Sequence, residues 1–152
     1  MTIERIFVCE EAKGRLAERD SIIAVAGQGI ESDRYFGRHD SPGQNITLIE
    51  AEEIESFLGE FRRPSDLSIS RRNLVTRGVR LKQLVGREFM VGGVRMRGVE
   101  LCEPCLILGT ALASPELPIE EVVKRLLHRT GLRADVLSNG IIARGDAIRR
   151  VA

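Results

Sequence analysis

Short apolar segments separated by glycine-containing turns are the feature that most limits the folds open to this chain. The clearest case is the pair of segments 89–91 and 94–96, which flank Gly92-Gly93. Because glycine tolerates the positive φ angles of a tight turn, this pattern predicts a β-hairpin. The apolar positions of its second strand change phase at Gly98. Since a slip of one residue turns every side chain to the other face, the change of phase predicts a β-bulge there.

The rest of the chain repeats this design with few helices. Short strands are predicted at residues 3–8, 21–25, 46–49 and 73–76, and three more surround the turns at Asn139-Gly140 and Gly145-Asp146. Helical spacing of apolar residues predicts one helix over 51–61, ended by Pro64, and another over 119–127, with Pro118 at its start and Gly131 as its stop. The fold class is therefore predicted to be mainly β with a few helices (α+β), in a barrel or curled sheet of mostly antiparallel strands.

Composition narrows the possible functions. The 152 residues fit one domain over 1–152, and 23 Lys and Arg against 22 Asp and Glu give a net charge of +1. So balanced a chain has no overall field to attract nucleic acid, and 4% aromatic residues argue against a stacking platform. No apolar run or leader is recognised, so we expect no membrane association and a cytoplasmic location. There the three cysteines are expected to be thiols, metal ligands or a redox site.

The segment Cys102-Glu103-Pro104-Cys105 is the main candidate for chemistry, and it leaves several mechanisms open. One Cys-x-x-Cys supplies half of a zinc site, which tertiary contacts with Cys9, His39 or His128 would have to complete. A dithiol redox site is usually expected at a helix N-terminus in a parallel βαβ unit, whereas these cysteines come late among hairpins. Two buried cysteines acting as small apolar side chains are a further possibility.

A single reactive thiol is the interpretation favoured for this segment. Pro104 suits a first helical position, so Cys105 would lie in the first turn of a helix. Backbone N–H groups there favour a thiolate, whereas the nearby carboxylate of Glu103 opposes it. Cys105 is thus the predicted nucleophile, sulfur carrier or soft metal ligand, with Cys102 in a secondary role.

Two groups of polar residues could bind an anion. Asp33, Arg34, Arg38 and His39 lie in the unpatterned loop 27–45, and Arg71, Arg72, Asn73 and Arg77 surround a short strand. A long loop in a compact domain is often functional, although it can equally be a mobile connection. Arginines beside an asparagine make a good receptor for phosphate or carboxylate, although each could instead be a solvated surface charge.

The ordered motifs resemble the MOSC domain family, named for the C-terminal domain of molybdenum cofactor sulfurases. The resemblance covers nearly the whole chain. Its segments are Gly29-Ile30-Glu31-Ser32-Asp33-Arg34, Asn45 to Glu50, Arg72-Asn73-Leu74-Val75 with Gly78, Val85-Gly86 to Val91-Gly92, Leu101 to Cys105, and Gly140 to Ile148.

This resemblance implies a MOSC-type β-barrel that binds the molybdenum cofactor (molybdopterin). It implies that Cys105 carries sulfur or ligates molybdenum, and that Arg72 and Asn73, with Arg71 beside them, help to hold the pterin phosphate. Asp33 and Arg34 match a loop near the site. The expected activity is sulfurtransferase-like, or that of a molybdoenzyme-type reductase of N-hydroxylated small molecules.

Two departures from the family pattern affect these expectations. Ser32 replaces the usual second glycine of the loop motif, and Cys102 is an additional cysteine that could form a disulfide with Cys105 or resolve one. No covalent pyridoxal-phosphate site is recognised, so sulfur would come from a separate pyridoxal-phosphate-dependent cysteine desulfurase, or electrons from a donor protein. A non-catalytic anion-binding barrel and a dithiol redox protein are the alternative functions.

Overall fold

A computed structural model describes residues 1–151, which form eleven strands, three α-helices and one 3₁₀ helix. The strands are β1 (Thr2–Val8), β2 (Ala17–Arg19), β3 (Ser21–Val25), β4 (Gly29–Ile30), β5 (Ile46–Glu50), β6 (Leu74–Arg77), β7 (Glu88–Val91), β8 (Val94–Leu101), β9 (Leu132–Val136), β10 (Gly140–Ala143) and β11 (Ile148–Arg150). The helices are α1 (Ala51–Glu60), α2 (Leu106–Leu112) and α3 (Ile119–Arg125), with the 3₁₀ helix at Leu81–Leu84.

The strands form one large curled sheet and one small one. The large sheet has the order β11-β7-β8-β9-β5-β6-β1-β2, and the small sheet has the order β10-β3-β4. Each neighbouring pair is antiparallel except β5 and β6, which helix α1 connects in parallel. The mainly β, mostly antiparallel fold predicted from the sequence is therefore confirmed.

Main-chain hydrogen bonds join the start of β11, at one end of the large sheet, to β1 next to its other end, and so form a barrel-like wall. Residue 147 bridges Thr2, and Ile148 N donates to Met1 O at 2.8 Å. Ile3 both donates to Asp146 O (2.9 Å) and accepts from Gly145 N (2.8 Å). We call this line of contacts the seam.

The predicted hairpin and bulge are both present. Strands β7 and β8 pair with Val91 opposite Val94, and the register between β8 and β9 shifts after Gly98. A Cβ at Gly98 would lie 2.1 Å from the carbonyl oxygen of Leu84, so only glycine allows this approach. The bulge therefore sets the direction in which β8 leads to Cys102.

Two apolar clusters stabilise the molecule. One fills the barrel, and the other lies between its outer surface and the three helices, where Ile49 and Val75 contact residues such as Phe57, Leu108 and Leu126. Cys105 packs at the edge of this second cluster. None of the helices in residues 1–151 has the length and apolar character required to cross a membrane.

Several predicted boundaries were wrong. The helix predicted over 119–127 ends at Arg125, because the backbone leaves the helical conformation before His128, which has φ +65°. The helix expected near Pro104 begins at Leu106. Strands β2 and β4 and the 3₁₀ helix were not predicted, and β4 lies near the start of the segment 27–45 that was expected to be entirely loop.

Candidate functional site

Cys105 lies immediately before helix α2, as its N-cap rather than within its first turn. Its sulfur accepts a hydrogen bond from the backbone N–H of Leu108 at 3.5 Å. The residue is half-buried, whereas the next two residues, Leu106 and Ile107, are exposed. Cys105 can therefore be reached from solvent while the helix holds its sulfur in place.

Cys102 occupies a different environment three residues earlier. It is 3% exposed, and its burial raises the pKa of its thiol, although Arg72 and Arg133 partly oppose that change. All three cysteines of the chain are free thiols, and Cys9 is also buried. The Cys-x-x-Cys segment thus contains one accessible and one sequestered thiol.

The Cys105 cleft is a depression of about 250 Å³ with cationic walls. Its lining residues are Ala12, Lys13, Arg34, Tyr35, Arg38, Ser70, Arg71, Arg72, Cys105 and Ile107. Five of them carry positive charge, and within residues 1–151 no Asp or Glu lines the cleft. Such a surface favours an anionic ligand beside the thiol.

One wall of the cleft is built from the loop that follows β4. The carboxylate of Asp33 is buried and accepts hydrogen bonds from Cys9 N (3.0 Å), Tyr35 N (3.2 Å) and Arg34 Nη1 (3.2 Å). Arg34 also donates through Nη2 to Arg71 O at 3.0 Å, and its side chain is 9% exposed. The guanidinium groups of Arg34 and Arg38 lie 4.4 and 5.7 Å from the centre of the Tyr35 ring. Asp33 therefore holds the wall together and is not itself a lining residue.

Arg71 connects this wall to the loop after β1. Its Nη2 group donates to Gly14 O at 2.7 Å and lies 3.6 Å from Cys9 Sγ. Its backbone has φ +62°, in the left-handed region that costs a residue other than glycine free energy. Arg71 is thus held at the cleft by its side-chain contacts with Gly14 and Cys9 and by the hydrogen bond that its backbone carbonyl accepts from Arg34.

Arg72 and Asn73 directly precede β6, and their side chains lie in different surroundings. Arg72 donates through Nε to Thr130 O (3.0 Å) and through Nη2 to Glu103 O (3.3 Å). Asn73 is fully buried, and its amide accepts from Thr47 N and Oγ1 and donates to Phe7 O. Arg72 therefore lines the cleft, whereas Asn73 joins strands beneath it.

A second depression, of about 110 Å³, lies next to the Cys105 cleft, and we call it the Cys102 depression. Its lining residues are Tyr35, Gly43, Gln44, Thr47, Arg72, Cys102, Glu103 and Arg133. Tyr35 and Arg72 line both, so these two side chains form the boundary between them.

The zinc alternative lacks its remaining ligands in the described residues. Across residues 1–151, no three His, Cys, Asp or Glu side chains come together so that they could hold a metal ion. His39 and His128 are exposed and line neither depression. Arg77, which the sequence offered as a possible anion-binding residue, lines neither depression and pairs with Glu55 at 2.7 Å.

Sequence reasoning did not identify Tyr35 or Lys13 as lining residues. Tyr35 is the single tyrosine of the chain and follows Asp33-Arg34 directly, which was a usable signal. Lys13 lies in a turn far from the other residues in sequence, and no pattern in the sequence connects it with them.

Solved structures of other proteins show a similar fold. The YuaD protein from Bacillus subtilis is similar, with TM-score 0.81 and 20% identity over 97% of this chain and 93% of that one. YiiM from Geobacillus stearothermophilus (TM-score 0.71, 19% identity, 99% and 75% covered) and YiiM from Escherichia coli (0.70, 15%, 100% and 70%) are also similar.

A search of curated protein sequences found no significant match. The family model described as the MOSC domain matches residues 36–149, which is most of the chain. The chain therefore belongs to the MOSC domain family, which is known for binding the molybdenum cofactor.

Proposed function

We propose that the chain binds the molybdenum cofactor or a related sulfur-bearing anion in the Cys105 cleft. Cys105 would carry the sulfur or ligate the molybdenum. The observation that carries this proposal is the placement of one accessible thiol in a cleft lined by five cationic side chains. Membership of the MOSC domain family supports the choice of ligand.

The residues present suit such a ligand chemically. A cysteine sulfur is a soft donor of the kind that thiophilic metals and persulfide sulfur prefer. Arg34, Arg71 and Arg72 would hold the phosphate, because guanidinium groups bind phosphate oxygens through two parallel hydrogen bonds. When bound, the molybdenum would supply two-electron redox chemistry.

Hydrogen bonds within the protein prepare these arginines for binding. Arg34 and Arg71 each donate to a backbone carbonyl, so ligand binding restricts fewer of their rotamers than it would for free surface chains. Asp33 and Asn73 would act indirectly, because Asp33 orients Arg34 and Asn73 anchors the backbone next to Arg72.

The sulfur-transfer route requires a separate donor that bears a persulfide, such as a pyridoxal-phosphate-dependent cysteine desulfurase. The Cys105 thiolate would attack the outer sulfur of the donor's R–S–SH group. The new S–S bond leaves a persulfide on Cys105 and releases the donor as R–S⁻, so no external oxidant is needed. The alternative route, reduction of a small N-hydroxylated substrate, requires an electron-donor protein instead.

Anaerobic purification from molybdenum-replete cells tests the proposal. Molybdenum is measured by elemental analysis, pterin by the fluorescence of its oxidised form, and persulfide by mass spectrometry of the Cys105 peptide. We expect either molybdenum and pterin in equal amounts, or a mass increase of one sulfur atom on Cys105, and we expect Cys105→Ser to lose the molybdenum or the sulfur.

The matched control is Cys102→Ser, which keeps Cys105 in place and should retain the ligand. If wild type holds no molybdenum, pterin or extra sulfur even after reconstitution, the proposal is wrong. Undiminished cofactor in Cys105→Ser would favour a binding domain without thiol chemistry. Equal losses in Cys102→Ser and Cys105→Ser would favour the dithiol function.

A further inference from the structure

We infer that Arg72 is a positioning residue for Cys105. Its side chain fixes the loop between the two cysteines and also faces the proposed ligand. This inference rests on the proposed function for its biological meaning, because it concerns the placement of the proposed reactive thiol. The contacts themselves can be tested in the chain without any cofactor.

The Arg72 guanidinium connects two separate segments. Its Nε group donates to the carbonyl of Thr130, and its Nη2 group donates to the carbonyl of Glu103, between the two cysteines. Thr130 in turn donates through Oγ1 to Cys102 O at 3.1 Å, and Cys102 N donates to Gly131 O at 2.8 Å. The loop that carries Cys105 is thus held at Cys102 and at Glu103.

Both ends of this connection are rigid. Asn73, the next residue, is fully buried and bonded to Thr47 and Phe7, so the backbone of Arg72 cannot shift easily. Thr130 is also fully buried. A Cβ at Gly131 would lie 2.1 Å from the carbonyl oxygen of Leu48, which places that segment directly against β5.

The guanidinium shape explains why arginine suits this position. Two of its five N–H groups are donated to protein carbonyls in residues 1–151, which leaves three for other acceptors, and Arg72 lines both the Cys105 cleft and the Cys102 depression. A lysine ammonium keeps the charge, but its compact head on a flexible stem does not reproduce the planar fork that spans two carbonyls. Arg72 can therefore hold the thiol loop and contact an anion at the same time.

Site-resolved alkylation with iodoacetamide, measured by mass spectrometry from pH 6 to pH 10, tests this role. In wild type we expect label on Cys105 and protection of Cys102. In Arg72→Gln we expect Cys102 to be labelled at least tenfold faster, because its loop is released, and the pH profile of Cys105 to change. Arg72→Lys should restore protection only in part.

Arg38→Gln is the matched control, because it removes a charge from the same cleft while its guanidinium contacts the Tyr35 ring and not the cysteine loop. We expect Cys102 to stay protected in this variant. If Arg38→Gln exposes Cys102 as much as Arg72→Gln does, or if a folded Arg72→Gln leaves Cys102 protected, the inference is wrong.

A second variant covers the case in which Arg72→Gln does not fold. Thr130→Val keeps the side-chain shape but removes the hydrogen bond to Cys102 O, and we expect Cys102 labelling to rise about threefold. An unchanged rate in that variant would overturn the inference. Because these experiments need no cofactor, failure to find molybdenum or sulfur would refute the proposed function without affecting this result.

Discussion

Cys102 and Cys105 are three residues apart, yet their surroundings differ in almost every physical respect. Cys102 is buried, and its thiol has a raised pKa. Cys105 is half-buried at the start of α2, accepts a backbone hydrogen bond, and faces a cationic cleft. A motif that looks symmetric in sequence therefore contains one accessible thiol and one sequestered thiol.

The cause of this difference lies in the chain on either side. Strand β8 ends at Leu101, and the hydrogen bonds of Cys102 to Thr130 and Gly131 extend its attachment to the barrel by one residue. The chain then turns outward through Glu103 and Pro104. The two thiols therefore differ in their surroundings because β8 ends just before them, more than because of the spacing of the cysteines.

The largest expected effect comes from removing the accessible thiol. In Cys105→Ser, native-state alkylation should fall at least about 100-fold, because Cys102 can react only after local opening that costs roughly 3 kcal/mol. Mass spectrometry of iodoacetamide-treated folded protein measures the rate. Cys102→Ser should keep the wild-type rate, and fast labelling in Cys105→Ser would contradict the difference described between the thiols.

A change at the bulge should weaken the structure on which the difference depends. Gly98→Ala should lower the free energy of unfolding by about 2 kcal/mol, because the new Cβ meets the Leu84 carbonyl. Urea denaturation measures this change. Gly93→Ala is the control: a Cβ there meets no atom within 4 Å, and we expect less than about 0.5 kcal/mol. Equal stability of the two variants would show that the bulge does not need glycine.

Removing one cationic side chain from the Cys105 cleft should lower the affinity of that cleft for an anion. Arg38→Gln should reduce the affinity for inorganic phosphate about fivefold, or ~1 kcal/mol, because the cleft loses a charge-assisted donor. Calorimetric titration at low ionic strength measures the affinity. Arg95→Gln removes an exposed arginine that pairs with Glu88 outside the cleft and should leave phosphate binding unchanged. An equal loss of phosphate affinity in both variants would show that binding follows the net charge of the protein, and would contradict the prediction.

The smallest expected effect concerns pH and belongs to Cys102. Because burial raises the pKa of its thiol in the folded state, the folded protein holds this proton to a higher pH than the unfolded chain does. The resulting stability is complete below the pKa of the unfolded thiol and is lost as the pH rises from there through the folded pKa. Urea denaturation between pH 7 and pH 10 should therefore show a steeper loss of stability for wild type than for Cys102→Ala. If the stability of the two proteins fell in parallel with rising pH, this prediction would be contradicted.

Local patterns predicted much of the fold. The Gly92-Gly93 hairpin and the bulge at Gly98 could be found because turn chemistry and the alternation of side chains act over a few residues. Strand β2 could not be found, because its three residues are partly or fully exposed and become a strand only through pairing with β1.

The site was predictable in its residue types but not in its contacts. Sequence reasoning named five residues that the fold brings to one cleft: Cys105, Arg34, Arg38, Arg71 and Arg72. It could not distinguish the buried Asn73 from a ligand-binding amide, because both uses need the same side chain. Which hydrogen bonds satisfy such a group depends on strands that are far apart in sequence.

The seam between Met1–Ile3 and residues 145–148 also determines when the barrel can be completed. These contacts join parts of the chain that are far apart in sequence, so they cannot form on the ribosome until residues 145–148 have been synthesised. Until then the first half of β1 and the outer edge of β7 present unpaired main-chain groups, which are the usual starting points of aggregation. During biosynthesis the nascent protein should therefore depend on chaperones longest at this edge, well after the residues around Cys105 have emerged.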